Sequence, residues 1–148
     1  MPRWLKIIVP LVLVAGLVAV SPLGKLIYLN VRADDPLLQQ WQDYDAGRFA
    51  QAIESKADLL VQIYASWCPV CEAQHRSFQA LEAKGQVPDA QLFRVDFDRD
   101  TDFLKQYKVT STGQLLVFRN GTLLTRGQGL VDENKILSFL EEASIPVH

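Results

Sequence analysis

The chain opens on a long uncharged stretch and then changes character. From Ile7 to Leu23 there are 17 residues without a charge, with Arg3 and Lys6 before them and Trp4 where an interfacial aromatic would sit. No polar face interrupts the run, which argues against a buried core helix. Counted from Trp4, with Lys6 snorkelling near its start, the run supplies the roughly 20 apolar residues of a membrane helix. Leu26-Ile27-Tyr28-Leu29 can extend it. A cleaved signal peptide needs a small-x-small site; the near match is Ala19-Val20-Ser21, and Pro22 would follow the cut. An uncleaved anchor within residues 1–30 is therefore preferred to a signal segment. With no early cysteine, a lipoprotein is excluded. Arg3 and Lys6 on the leading side predict a single-pass inner-membrane topology. The N-terminus is then cytoplasmic and the bulk of the chain lies in the periplasm or extracytoplasmic space, although Lys25 and Arg32 weaken that bias.

Beyond the polar, proline-closed linker Arg32-Ala33-Asp34-Asp35-Pro36 the periods are those of a folded domain. Leu37, Leu38, Trp41 and Tyr44, then Phe49 and Ile53, have helical spacing interrupted at Gly47. This predicts two helical pieces, a linker and leading helix over 31–47 and a main domain over 48–148. Leu59 to Ala65 is a short apolar run that suits a strand buried on both faces. Val70, Ala73, Ser77, Phe78 and Leu81 define one face of a helix that ends at Gly85. Gln91 to Phe97 reads as a second strand and Thr101 to Tyr107 as a short helix. Leu115–Phe118 and Thr122–Thr125 flank Asn120-Gly121, a strong hairpin signal. Asp132 can cap a last helix with Ile136, Leu137, Phe139, Leu140 and Ala143 inward. The order helix, strand, helix, strand, helix, hairpin, helix predicts an α/β domain with a mixed sheet covered on both sides.

Composition changes this picture in one respect. A hydrophobic content of 49% and a charged content of 22% over 148 residues are those of one ordinary globular domain. The net charge of -2 conceals an asymmetry, because all 17 acids lie at or after Asp34. Only 11 of the 15 bases do, so that segment carries a net -6. A net charge of that sign argues against nucleic acid as a partner, since phosphate binding needs a basic face.

The candidate chemistry lies in ASWCPVC, which holds both cysteines of the chain, Cys68 and Cys71. Cys68 falls between the strand ending at Ala65 and the helix that Pro69 is suited to begin. There free N–H groups and the helix dipole stabilise a thiolate. Cys71, one turn on, can close a small ring with it. The pair then exchanges: Cys68 attacks a substrate disulfide and Cys71 resolves the mixed disulfide. A structural staple is disfavoured, because so short a loop constrains little of the unfolded chain. A zinc knuckle needs two more ligands, and Cys68, Cys71 and His75 form at most an incomplete set. The C-x-x-C in a βα setting favours redox chemistry, with no metal and no cofactor beyond the redox-active disulfide itself.

Two stretches carry a family resemblance. RFAQAIESKADLLVQIYASWCPVC, from Arg48 to Cys71, resembles thioredoxin, and LLVFRNG, from Leu115, resembles its hairpin. The similarity runs in order from about Arg48 to Ala143, and implies a thioredoxin-like fold and thiol–disulfide exchange with protein partners. WCPVCEAQH also resembles the active site of membrane-tethered cytochrome c maturation oxidoreductases, although the central insertion typical of that group does not fit after Cys71.

The departures are as informative. The family's buried aspartate, which helps move the proton of the second cysteine, is here Gln62, and a neutral amide cannot act as that base. Gln62 reads equally well as a hydrogen-bonded strand residue, leaving water, Glu72 or His75 to assist Cys71. The cis-proline opposite the cysteines, which shapes the substrate groove and is thought to discourage metal capture, is replaced by Gly113. A trans Thr112–Gly113 bond, a looser loop and an unbonded Gly113 N–H are expected. The reading is a membrane-anchored thiol–disulfide oxidoreductase, with Cys68 as nucleophile, Cys71 resolving, Trp67 shielding the pair and Thr112-Gly113 as the facing substrate loop. Its direction is open, and in the reducing direction a transmembrane electron donor is implied. The competing classes are a metal-binding or assembly factor using the same cysteines and a non-catalytic docking module.

Overall fold

The computed structural model describes Leu38 and residues 40–148; the apolar run and the linker lie outside the described residues. No helix among the described residues is long and apolar enough to cross a membrane. Five strands form one sheet: β1 (Trp41–Asp43), β2 (Leu59–Tyr64), β3 (Gln91–Asp96), β4 (Gln114–Arg119) and β5 (Thr122–Gln128). Among the described residues four helices accompany them: α1 (Ala46–Glu54), α2 (Pro69–Ala83), α3 (Thr101–Gln106) and α4 (Glu133–Glu142). The strand order is β1-β3-β2-β4-β5. β3 runs parallel to β1 and β2, and β4 runs antiparallel to β2 and β5. This is the mixed α/β sheet that the periodicity implies.

Local chemistry accounts for the boundaries. Every residue of β2 is buried, as expected for a central strand covered on both faces. Asp45 caps α1 by accepting the Arg48 N–H at 2.9 Å, and Asp132 caps α4 by accepting the Lys135 N–H at 3.0 Å. Asn120 and Gly121 both have positive φ, 51° and 78°, which the tight hairpin between β4 and β5 requires. A bonded Arg119–Asp58 pair, 3.0 and 2.9 Å, ties the far end of β4 to the start of β2.

The alternation along the strands divides the core in two. Leu60, Leu92, Leu115 and Val117 face α2 and α4, where Phe78, Leu81, Ile136 and Leu140 cover them. Val61, Ile63, Phe93, Val95, Leu116 and Phe118 face α1 and α3, against Phe49 and Phe103. Phe49 stands edge-on to Phe93, Phe103 and Phe118, with ring centroids 5.5, 5.3 and 5.3 Å away.

Two expectations are corrected. Trp41–Asp43 is a strand, not part of a leading helix: Trp41, Gln42 and Asp43 pair in parallel with Leu92, Phe93 and Arg94. The helix-like spacing of Leu38, Trp41 and Tyr44 lost to edge pairing on β3, where the buried Trp41 ring packs against Phe78 at 5.0 Å. Gly47 does not interrupt a helix but lies in the first turn of α1. The inward face of α2 is also rotated from that expected. Cys71, Gln74, His75, Ser77, Phe78 and Leu81 are buried, whereas Val70 is exposed and Ala73 half-buried.

Candidate active site

The chain leaves β2 at Tyr64 and turns directly into α2, which presents Cys68 at the helix N-cap and Pro69 in the first turn. The Cys68 sulfur accepts the Cys71 N–H at 3.1 Å. In the reduced protein that N–H and the dipole behind it stabilise a Cys68 thiolate. The two cysteines are joined as a disulfide, with Cα atoms 5.3 Å apart. Cys68 keeps 5% of its surface and Cys71 none, so an incoming sulfur meets Cys68 first. The Cys71 sulfur lies 3.6 Å from the Ile63 carbonyl oxygen, which can accept its proton-bearing form once the pair is reduced.

Apolar surface flanks the pair. Trp67 is 52% exposed and Val70 36%. Trp67 donates its indole N–H to Asp98 at 2.8 Å and stands edge-on to Phe97. It thus flanks Cys68, held toward the β3–α3 loop. That loop is itself braced: Asp96 accepts the N–H groups of Asp98 and Arg99, and Asp100 accepts the Asp96 N–H at 2.7 Å. Burial holds the Asp100 carboxyl above the usual carboxylate range, against the lowering effect of that N–H.

The Gly113 loop closes the opposite side. Gly113 has φ +73°, and a Cβ there would stand 2.6 Å from Val70 Cγ1 and 3.9 Å from the Cys68 sulfur. Glycine is required by both the backbone and the close approach. As expected from the missing proline, the described residues contain no cis peptide bond. The expected free N–H is corrected: Gly113 donates to the Ile63 carbonyl at 2.9 Å. Its own carbonyl accepts from Gln74 Nε2 at 3.0 Å. The loop is tied on both sides rather than loosened. Among the described residues, the N–H and C=O of Thr112 make no hydrogen bond.

Gln62 is 4% exposed and donates to Gln74 Oε1 at 3.2 Å, so it is a hydrogen-bonded strand residue. The other groups considered for moving the Cys71 proton have partners of their own. Glu72 pairs with Arg76 at 2.5 Å and the His75 ring lies 3.1 Å from Gln79 Nε2. Among the described residues, no cluster of three or more His, Cys, Asp or Glu is placed to hold a metal ion. Sequence reasoning missed Gln74 and Asp98. The spacing Cys71, Gln74, Phe78, Leu81 marks Gln74 as inward, but a glutamine there conflicts with an apolar face. Nothing in the sequence pairs Asp98 with Trp67. A cleft of about 520 Å³ is lined by Asp58, Pro88, Asp89 and His148 at the other end of β2 and β3. Sulfur exchange needs an accessible sulfur and a shallow platform, so that cleft is no rival for the chemistry.

The arrangement supports a balanced two-step exchange. A Cys68 thiolate attacks one sulfur of a substrate disulfide, forming a mixed disulfide and releasing a substrate thiolate that takes up a proton. Cys71 then loses its proton and attacks Cys68, forming the Cys68–Cys71 disulfide and releasing the second substrate thiolate. Two electrons pass from the protein to the substrate, and the reverse sequence oxidises a dithiol.

Comparison with known proteins agrees with this chemistry. The thioredoxin family profile matches residues 41–142. The thioredoxin of Mycoplasma genitalium is 31% identical over 89 residues, 60% of this chain and 85% of its own. That of Chlamydia trachomatis is 29% identical over 94 residues, 64% of this chain and 89% of its own. Among solved structures, Trxlp from Edwardsiella tarda superposes with a TM-score of 0.62 at 35% identity, covering 68% of this chain and 97% of the other. A Malassezia sympodialis thioredoxin, 17% identical, shares the fold with a TM-score of 0.57. With its disulfide at the head of α2, the chain belongs to the thioredoxin family of thiol–disulfide oxidoreductases.

Proposed function

We propose that this oxidoreductase works from the membrane surface in an extracytoplasmic compartment, exchanging disulfides with protein substrates. The observation that carries the placement is the 17-residue uncharged run from Ile7 to Leu23 behind Arg3 and Lys6, followed by a domain of net -6. The local resemblance of WCPVCEAQH to tethered oxidoreductases supports the same placement. In the reducing direction electrons come from a membrane partner that reduces Cys68–Cys71, and in the oxidising direction the same partner removes them. An extended polypeptide lies over Val70 and Trp67 and pairs with the Thr112 backbone while Cys68 attacks. Reporter fusions after Ala33 and at His148 test the topology. Activity of an extracytoplasmic reporter at both positions is expected, and an active cytoplasmic reporter at both overturns it. Acid-quenched alkylation of cells reports the direction: a pair found reduced is a reductase, a pair found oxidised an oxidant. Cys71→Ala traps the substrate as a mixed disulfide on Cys68.

A further inference from the structure

We infer that Gln62 and Gln74 form an uncharged strut that positions the Gly113 loop against the reactive disulfide, and that Gln74 is thereby a positioning residue for protein substrates. The inference rests on the exchange reaction described above. It starts from two buried amides directly beneath the cysteines: Gln74 has no exposed surface and Gln62 only 4%. A glutamine loses rotamer freedom and water on burial, so both ends of its amide need partners. For Gln74 one chain of bonds supplies both. Gln62 Nε2 donates to Gln74 Oε1 at 3.2 Å, and Gln74 Nε2 donates to the Gly113 carbonyl at 3.0 Å. Gly113 in turn donates its N–H to Ile63 at 2.9 Å, and the same Ile63 carbonyl lies 3.6 Å from the Cys71 sulfur.

The chain therefore joins three segments that meet at the site. Gln62 and Ile63 belong to the central strand, Cys71 and Gln74 to one turn of the reactive helix, and Gly113 to the loop before β4. With a φ of +73° and no Cβ, Gly113 cannot hold its loop by side-chain packing, and nothing in its own backbone restricts it as a proline ring would. The bond from Gln74 supplies the restraint from outside. It also fixes the Gly113 carbonyl inward, which leaves the neighbouring Thr112 as the residue that presents its backbone to a substrate. Because both members of the strut are amides, the restraint carries no charge to be titrated beside the thiols.

A small disulfide needs only access to the Cys68 sulfur, whereas a protein disulfide must also dock along the loop. The test uses the full chain carrying Gln74→Leu, Gln74→Glu or Gln62→Met, and the double variant Gln62→Met/Gln74→Leu. Each is assayed with insulin as the protein disulfide and with an aromatic small disulfide. Gln74→Leu and Gln74→Glu should lower kcat/KM on insulin about tenfold while the small-disulfide rate stays within twofold. Gln62→Met should give a smaller loss in the same sense, and the double variant should be no worse than Gln74→Leu, since Gln62 acts through Gln74. Hydrogen exchange of the Gly113 amide should rise at least tenfold in Gln74→Glu while Leu116 and Val117 are unchanged, a readout that holds even where Gln74→Leu folds poorly. Equal losses on both substrates, additive effects of the two glutamines, or an unaltered Gly113 exchange rate overturn the strut. Absence of small-disulfide exchange in the wild-type protein would instead overturn the reaction itself, and the strut with it.

Discussion

The two faces of the sheet solve different problems. Toward α1 and α3 the buried cluster is apolar, with Phe49 at the centre of edge-on contacts to Phe93, Phe103, Tyr107 and Phe118. Toward α2 and α4 the same sheet meets a comparable apolar core lower down, but under the disulfide it meets Gln62, Gln74 and His75, all buried. Buried amides add little net stability, because each bond replaces one to water. Their directionality is what dispersion contacts lack: an amide fixes the orientation of the carbonyl it holds. Both faces therefore contribute apolar burial, and the one under the disulfide gives up part of it for position.

The contrast is broken most completely at the sulfur. Cys68→Ala should lower insulin reduction by on the order of a thousandfold or more, since no second nucleophile stands at the helix N-terminus. Stability in reducing buffer should change little. Phe93→Ala tests the other face. The ring is fully buried and its loss leaves a cavity amid Phe49 and Val61, so urea unfolding should show a loss of about 3–5 kcal/mol. The folded fraction should retain its exchange rate per molecule. If Phe93→Ala instead slows exchange at matched folding, the two faces are not separable in this way.

Gly113 sharpens the comparison because it couples backbone and packing. Gly113→Ala places a Cβ 2.6 Å from Val70 Cγ1 and imposes a side chain on φ +73°. The backbone term alone is about 1–2 kcal/mol. Val70→Ala in the same chain should recover the steric part and leave the backbone part, measurable as a non-additive double-mutant cycle. Gly113→Pro should be worse than either, since proline cannot adopt that φ and has no N–H for Ile63.

The smallest effect lies far from the site, at the α4 cap. The Lys135 N–H, then the Lys135 side chain, holds the Asp132 carboxyl below the usual carboxylate range. A depressed folded value means that the ionised cap favours folding above the unfolded value, about 3.9. That contribution disappears as pH falls through the folded value. Asp132→Ala should therefore melt a few degrees lower than wild type at neutral pH, with the gap closing as pH falls below the ordinary carboxylate range. A gap that is constant with pH would place the cap's effect outside the carboxylate.

What was legible in the sequence follows the same division. Runs governed by burial on both faces, such as Leu59 to Tyr64, and ends governed by local chemistry, such as Asp132 or Asn120-Gly121, read correctly because their causes are local. β1 did not, because three residues on an edge strand are decided by the distant β3 against which they pair. Cys68, Cys71 and Pro69 were legible from spacing alone. Gln74 and the bonding of Gly113 were not, because polarity at a buried position shows its purpose only when its partners are in view. The apparent freedom of a glycine loop was likewise cancelled by bonds from Ile63 and Gln74, which come from elsewhere in the chain.

The central place of β2 also bears on the order of events as the chain folds. The β4–β5 hairpin, with its tight Asn120-Gly121 turn, is local and of a kind that closes within microseconds. β2 must find partners on both edges, pairing Gln62 with Arg94 on one side and with Leu115 on the other, and such long-range pairings are the slow ones. The Cys68 thiolate depends on one helix end, whereas the Gly113 loop depends on Ile63 of β2 and Gln74 of α2 together. Selectivity among disulfides therefore leans on long-range pairing to which the nucleophile itself is indifferent.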